Sequence, residues 1–190
     1  MLEDGSVYEG TARGDFKETA CEIVFNTSMT GYVEILTDPS YAGQGVVMTY
    51  PMIGNYGISR EDFESERLQP SAFIVHELSS DPSNFRCTDT IENLLKEYNI
   101  PCISGVDTRA VVKKLRESGT MRGVLTSDIG DRERLMDVIK SFRQIDLVGS
   151  VTAKQTKVYG EENTGAEIAL MDFGTKRNII NNLEIGRASC

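Results

Sequence analysis

The sequence holds a single histidine, His76, and four cysteines, Cys21, Cys87, Cys102 and Cys190, that stand far apart. No two of them form a C-x-x-C pair, so the spacing of a zinc site is missing. No apolar run approaches the roughly 20 residues that cross a bilayer, which argues against a membrane span. The opening Met1-Leu2-Glu3-Asp4-Gly5 has neither the basic start nor the apolar stretch of a secretory signal, so a cytoplasmic chain without a disulfide framework is expected. No G-x-x-x-x-G-K-[ST] string occurs. The glycines of the loop 53–57 are therefore read as tight backbone turns and not as a phosphate cradle. Internal repeats and low-complexity tracts are absent as well. Basic residues are in deficit, 20 against 29 acids, for a net charge of −9. The acids are spread along the chain, which describes a solvated surface and excludes nucleic acid as a partner, because phosphate contacts dominate that kind of binding.

What is present is a globular composition, 39 % hydrophobic and 26 % charged over 190 residues, with room for one domain or one domain and part of another. Asp4-Gly5 is a hairpin-type turn. Residues 21–25, 46–50, 72–77, 102–106 and 122–126 are apolar or β-branched runs that read as strands, with His76 inside the third. A lone strand histidine is more often structural than catalytic. Ile91, Leu94, Leu95 and Tyr98 carry the helical stripe of a helix over 89–98, with Asp89 as its cap and Glu92 completing a capping box. Asp107 is a natural N-cap for a second helix that Gly119 stops, and Asp131 for a third. The run 60–67 is charged and expected to be exposed. Residues 152–165 are polar and read as a linker, followed by a buried strand over 167–173 and a helix start over 175–183.

The chain is organised around the stretch Phe25 to Tyr41, FNTSMTGYVEILTDPSY. On chemistry alone it is a strand, a polar loop, a half-buried segment and a turn. Pro39 keeps Asp38 out of the helical region, so Ser40 stands just past a rigid turn where a hydroxyl can be aimed. The strings FNTSMTGY and EILTDPSY closely resemble the N-terminal domain of the small, glutamine-hydrolysing chain of carbamoyl-phosphate synthetase. TYPMIGNYG, SGVDTRAVVKKLRESG and LMDFGTKRNII match the same family in the same order, so the resemblance runs from about residue 2 to about residue 183.

That resemblance implies an α/β fold, a three-layer β/β/α domain. It implies a first domain over 1–151, a linker over 152–166 and the start of a class I amidotransferase domain over 167–183. Residues 184–190 are expected to be a non-native tail, since Gly186 interrupts the helix and IGRASC reads like a translated sequencing adapter. The family's reaction is hydrolysis of glutamine by a cysteine thiolate supported by a histidine and a glutamate. The ammonia passes to a large partner chain that uses ATP, magnesium and bicarbonate to make carbamoyl phosphate for arginine and pyrimidine synthesis. No cofactor is expected in this chain itself. The nucleophile elbow, G-x-C-x-G, is missing, so no catalytic residue is expected here. Ser40 resembles the serine that reaches across the domain interface to the bound glutamine, and the resemblance alone marks Arg109. Tyr50, Met52, Ile53 and Tyr56 either dock the large chain or cap the core from one end. The alternative to an enzyme portion is a free-standing, non-catalytic module that docks a large partner chain.

Overall fold

A computed structural model describes residues 1–14, 16–143, 146–162 and 165–185. In chain order the elements are β1 (Thr11–Arg13), β2 (Thr19–Asn26), α1 (Tyr32–Thr37), β3 (Gln44–Met48), β4 (Met52–Ile53), β5 (Ala72–Ile74), β6 (Glu77–Leu78), α2 (Ile91–Glu97), β7 (Cys102–Ser104), α3 (Thr108–Ser118), β8 (Met121–Leu125), α4 (Arg132–Ser141), α5 (Leu147–Val151) and α6 (Arg177–Ile185). Short 3₁₀ turns cover Pro39–Tyr41 and Arg60–Asp62.

Six strands form one mixed sheet in the order β1-β7-β5-β3-β2-β8, and β4 and β6 make a two-stranded ribbon beside it. The four inner strands β7, β5, β3 and β2 are parallel, and an antiparallel strand closes each side. Inner parallel strands are buried on both faces and read as continuous apolar runs, as Val46, Val47 and Met48 do here. Side chains alternate across that sheet. Val46, Met48, Phe73 and Cys102 meet α1 and α2 on one face, with Tyr32, Leu36, Leu94 and Leu95 among the buried partners. Cys21, Ile23, Val47 and Ile74 meet α3 on the other through Val111, Val112 and Leu115. The expected mixed α/β architecture is what the chain adopts.

Two of the three expected helix caps form. Asp107 Oδ1 accepts from Ala110 N at 2.9 Å and Asp131 Oδ1 from Arg134 N at 2.9 Å, as the pattern predicted. At α2 the cap is Thr90, which accepts from Asn93 N at 3.2 Å, and not Asp89. Asp89 is held one position outside the helix by backbone pairing with Ile58, and Glu92 pairs with Lys96 instead of closing a capping box. His76 lies between β5 and β6, exposed, and not within a strand. Residues 33–36, read only as half-buried, are helix α1. The run 60–67 is not uniformly exposed, since Phe63 and Glu64 are 6 % and 7 % accessible.

The buried strand expected over 167–173 does not form. Glu167 makes an isolated bridge, no strand is assigned over the rest of the segment, and Met171 and Phe173 stand 75 % and 58 % exposed. The helix that follows is α6, which takes in Glu184 and Ile185. The rest of the expected tail, residues 186–190, and positions 163 and 164 of the expected linker lie outside the described residues.

Candidate functional site

Helix α1 sets the position of everything around Ser40. Gly31 begins it in the left-handed region, φ 83° and ψ 25°, which glycine adopts without a Cβ penalty. Glycine has no side chain to cap the helix. The cap comes from across the fold: the Tyr56 hydroxyl accepts from Gly31 N at 2.7 Å and from Tyr32 N at 3.2 Å. The loop that carries Tyr56 thus closes the front of α1. At the back of α1, Asp38 begins the 3₁₀ turn of Pro39–Tyr41, its Oδ1 accepting from Ser40 N at 2.9 Å. Asn26, at the end of β2, donates to the Tyr41 hydroxyl at 2.9 Å and so pins the far side of the same turn.

Ser40 is exposed at the mouth of a cleft of about 220 Å³ lined by Pro39, Ala42, Val148, Val151, Phe173 and Gly174. Among the described residues its hydroxyl takes no hydrogen-bond partner. One wall is supplied by Phe173 and Gly174, within the segment Asp172-Phe173-Gly174-Thr175-Lys176. Asp172 Oδ1 accepts from Gly174 N (2.9 Å) and Thr175 N (2.7 Å), which turns the chain toward α6. Gly174 has φ +105°, and a Cβ there would sit 2.7 Å from Val151 Cγ2 and 3.1 Å from Pro39 Cβ. Only glycine both adopts that backbone and lets the wall approach the Ser40 turn so closely. Lys176 Nζ reaches Asp38 Oδ2 at 2.7 Å, and this bond raises the lysine above its ordinary range.

Behind the cleft lie three buried polar residues, Thr37, Asp38 and Glu64. Thr37 Oγ1 donates to Val33 O and accepts from Glu64 N, both at 2.9 Å. Glu64 in turn holds the start of α6: Oε2 accepts from Asn178 N at 3.0 Å, Oε1 from Asn178 Nδ2 at 2.8 Å, and its backbone oxygen from Arg177 N at 2.8 Å. In the sequence nothing in Arg60 to Arg67 sets Glu64 apart from Glu61, Asp62 or Glu66.

Cys21, Cys87 and Cys102, the cysteines among the described residues, do not line this cleft. Burial pushes the Cys21 and Cys102 thiols up to about 12, which leaves them protonated at neutral pH. Cys87 packs under Gly57 and contacts the backbone oxygen of Asp89 at 3.4 Å. Arg109 is exposed on the first turn of α3, away from the residues just described. Of the four loop residues 50, 52, 53 and 56, Ile53 is fully buried, Tyr50 and Tyr56 pack partly against the core, and Met52 is 40 % exposed. A larger apolar cavity, about 400 Å³, lies on the α3 face of the sheet against Ile23, Val47 and Ile74 and contains none of these groups.

The model of the carbamoyl-phosphate synthase small chain, CPSase domain, matches residues 1–125. The chain belongs to that family. It is 47 % identical over 183 residues to the carbamoyl phosphate synthase small chain of Clostridium perfringens, covering 96 % of this chain and 52 % of that one. The small chain of Archaeoglobus fulgidus is 47 % identical over 187 residues, covering 96 % and 51 %. That of Listeria monocytogenes is 41 % identical over 191, covering 100 % and 52 %. The chain therefore spans about half the length of the curated small chains it matches. No helix among the described residues is long and apolar enough to cross a membrane.

Proposed function

We propose that this chain is the N-terminal portion of the glutamine-hydrolysing small subunit of a cytoplasmic carbamoyl-phosphate synthase, and that it contributes Ser40 to the glutamine site. Residues 1–151 form the first domain, 152–166 the linker, and 167–183 the start of the domain that carries the cysteine. The large chain takes the ammonia and handles ATP and magnesium. The observation behind this reading is that exposed Ser40 lines a cleft together with Phe173 and Gly174 of the Asp172–Lys176 segment, its hydroxyl without a hydrogen-bond partner among the described residues. A hydroxyl there can donate to a carboxylate or accept from an ammonium group. Domain junctions are common ligand sites.

The test uses a small chain that includes the second domain, assembled with the large chain. A hydrogen bond to a charged ligand group is worth about 1.5–3 kcal/mol, so Ser40→Ala is expected to lower kcat/KM for glutamine roughly ten- to a hundredfold. Use of free ammonia is expected to be nearly untouched, and the present chain alone is expected to release no ammonia from glutamine. Equal loss with glutamine and with ammonia would overturn the assignment of Ser40. A free-standing docking module is the alternative, and the exposed Met52 and Phe85 speak for a docking surface in either case.

A further inference from the structure

We propose that Glu64 is a positioning residue for the Ser40 cleft: its carboxylate fixes where α6 begins, and so where the wall facing Ser40 stands. The consequence for glutamine rests on the functional reading above; the structural part does not. Two consecutive residues at the end of α1 govern both sides of the cleft. Asp38 holds the Ser40 turn through Ser40 N and the facing wall through Lys176. Thr37 holds Glu64 through the Glu64 N–H, and Glu64 holds Arg177 and Asn178.

The first N–H groups of a helix have no partner inside it, and a carboxylate at that end is favoured by the helix dipole. Both carboxylate oxygens of Glu64 are spent on Asn178, so the contact fixes direction as well as distance. Apolar packing cannot do this work. Within α6 only Ile180 is buried, while Ile179 is 48 % exposed. A helix that buries so little is placed by its polar anchors.

Hydrogen exchange on this chain reads the anchor directly. Glu64→Ala is expected to speed exchange of the amides of residues 177–180 roughly ten- to a hundredfold, the factor carried by one charge-assisted hydrogen bond, with β3 and β5 amides unchanged. Glu64→Gln is expected to restore protection, since a glutamine oxygen still accepts from Asn178 N and the Asn178 amide can turn to offer its own oxygen. In the longer small chain with its large chain, Glu64→Ala is expected to raise KM for glutamine about tenfold while kcat and the ammonia-dependent rate hold, and Glu64→Gln to restore KM. Unchanged exchange in Glu64→Ala overturns the proposal. So does protection lost equally across β3 and β5, which marks a residue of general stability, and so does faster exchange with KM unmoved. If the parental enzyme makes no use of glutamine, the functional reading falls, and the exchange result still decides the role of Glu64.

Discussion

The rings of Tyr32 and Tyr56 stack with centroids 4.1 Å apart and an interplanar angle of 18°, and both hydroxyls bond to backbone across the same junction. Tyr56 accepts from Tyr32 N, and Tyr32 donates to the oxygen of Gly57 at 2.8 Å. The GYVE and GNYG strings, whose tyrosines stand 24 positions apart, are therefore one device that starts α1.

Removing the Tyr56 hydroxyl leaves two backbone N–H groups at the start of α1 without a partner. Tyr56→Phe keeps the stack and removes only the cap. The cost of unsatisfied buried donors is about 1–3 kcal/mol, which corresponds to a fall in Tm of roughly 2–10 °C for a chain of this size. A thermal melt reads this, and an unchanged Tm would remove the capping role.

Acid is expected to weaken the join between β2 and α4. Arg134 grips both oxygens of Glu18 at 2.7 and 2.8 Å, and Thr126 Oγ1 donates at 2.9 Å. The Arg134 bonds, then the Thr126 bond, lower the Glu18 carboxyl from 4.5 to about 2. A carboxyl depressed in the folded state contributes stability above its unfolded pKa and loses it as pH falls through the folded one. The difference in Tm between the parent and Glu18→Gln is expected to be present at pH 6 and to vanish toward pH 2. Both groups are largely exposed, so the effect is small, about 1 kcal/mol or less. A difference that stays constant across that range would show that the ion pair contributes nothing.

The large chain is expected to dock on the loops that carry Met52 and Phe85. Phe85 is 96 % exposed and Met52 40 %, and the bond from Ser83 N to Asn55 O at 2.9 Å ties the two loops together. Exposed aromatic and methionine side chains on a braced surface suit the centre of an interface. Phe85→Asp is expected to weaken the complex about tenfold or more while leaving Tm unchanged. Binding as tight as the parent's would remove this face.

Much of the fold was legible because it follows period and cap chemistry. The strands at residues 21–25 and 46–50, the stripes of α2, α3 and α4, and the Asp107 and Asp131 caps each depend on neighbours in sequence. What stayed hidden depends on distant partners. Residues 33–36 are helical because Tyr56 caps them. Asp89 is displaced from the α2 cap by Ile58. Residues 167–173 carry an apolar strand pattern but, apart from the bridge at Glu167, no strand forms there among the described residues. Ser40 lies within the Pro39–Tyr41 turn and not past it, because Asp38 caps that turn through the Ser40 N–H. Glu64 was lost in a charge run because its burial comes from Thr37 and Asn178, 27 and 114 positions away.

The register of the sheet also dictates an order of events during synthesis. β2 finds its parallel partner once residue 48 has emerged, but its other edge pairs Thr19 with Leu125 and Ile23 with Met121. Met1 and Leu2 wait for the same strand, since Val124 and Gly123 are their partners. A nascent chain thus carries an open β2 edge, with residues 1 and 2 still unpaired, until β8 emerges, and an open edge is a template for pairing with other chains. The arrival of β8 shuts both at once, so a ribosome stalled before residue 121 leaves the β2 edge open to association.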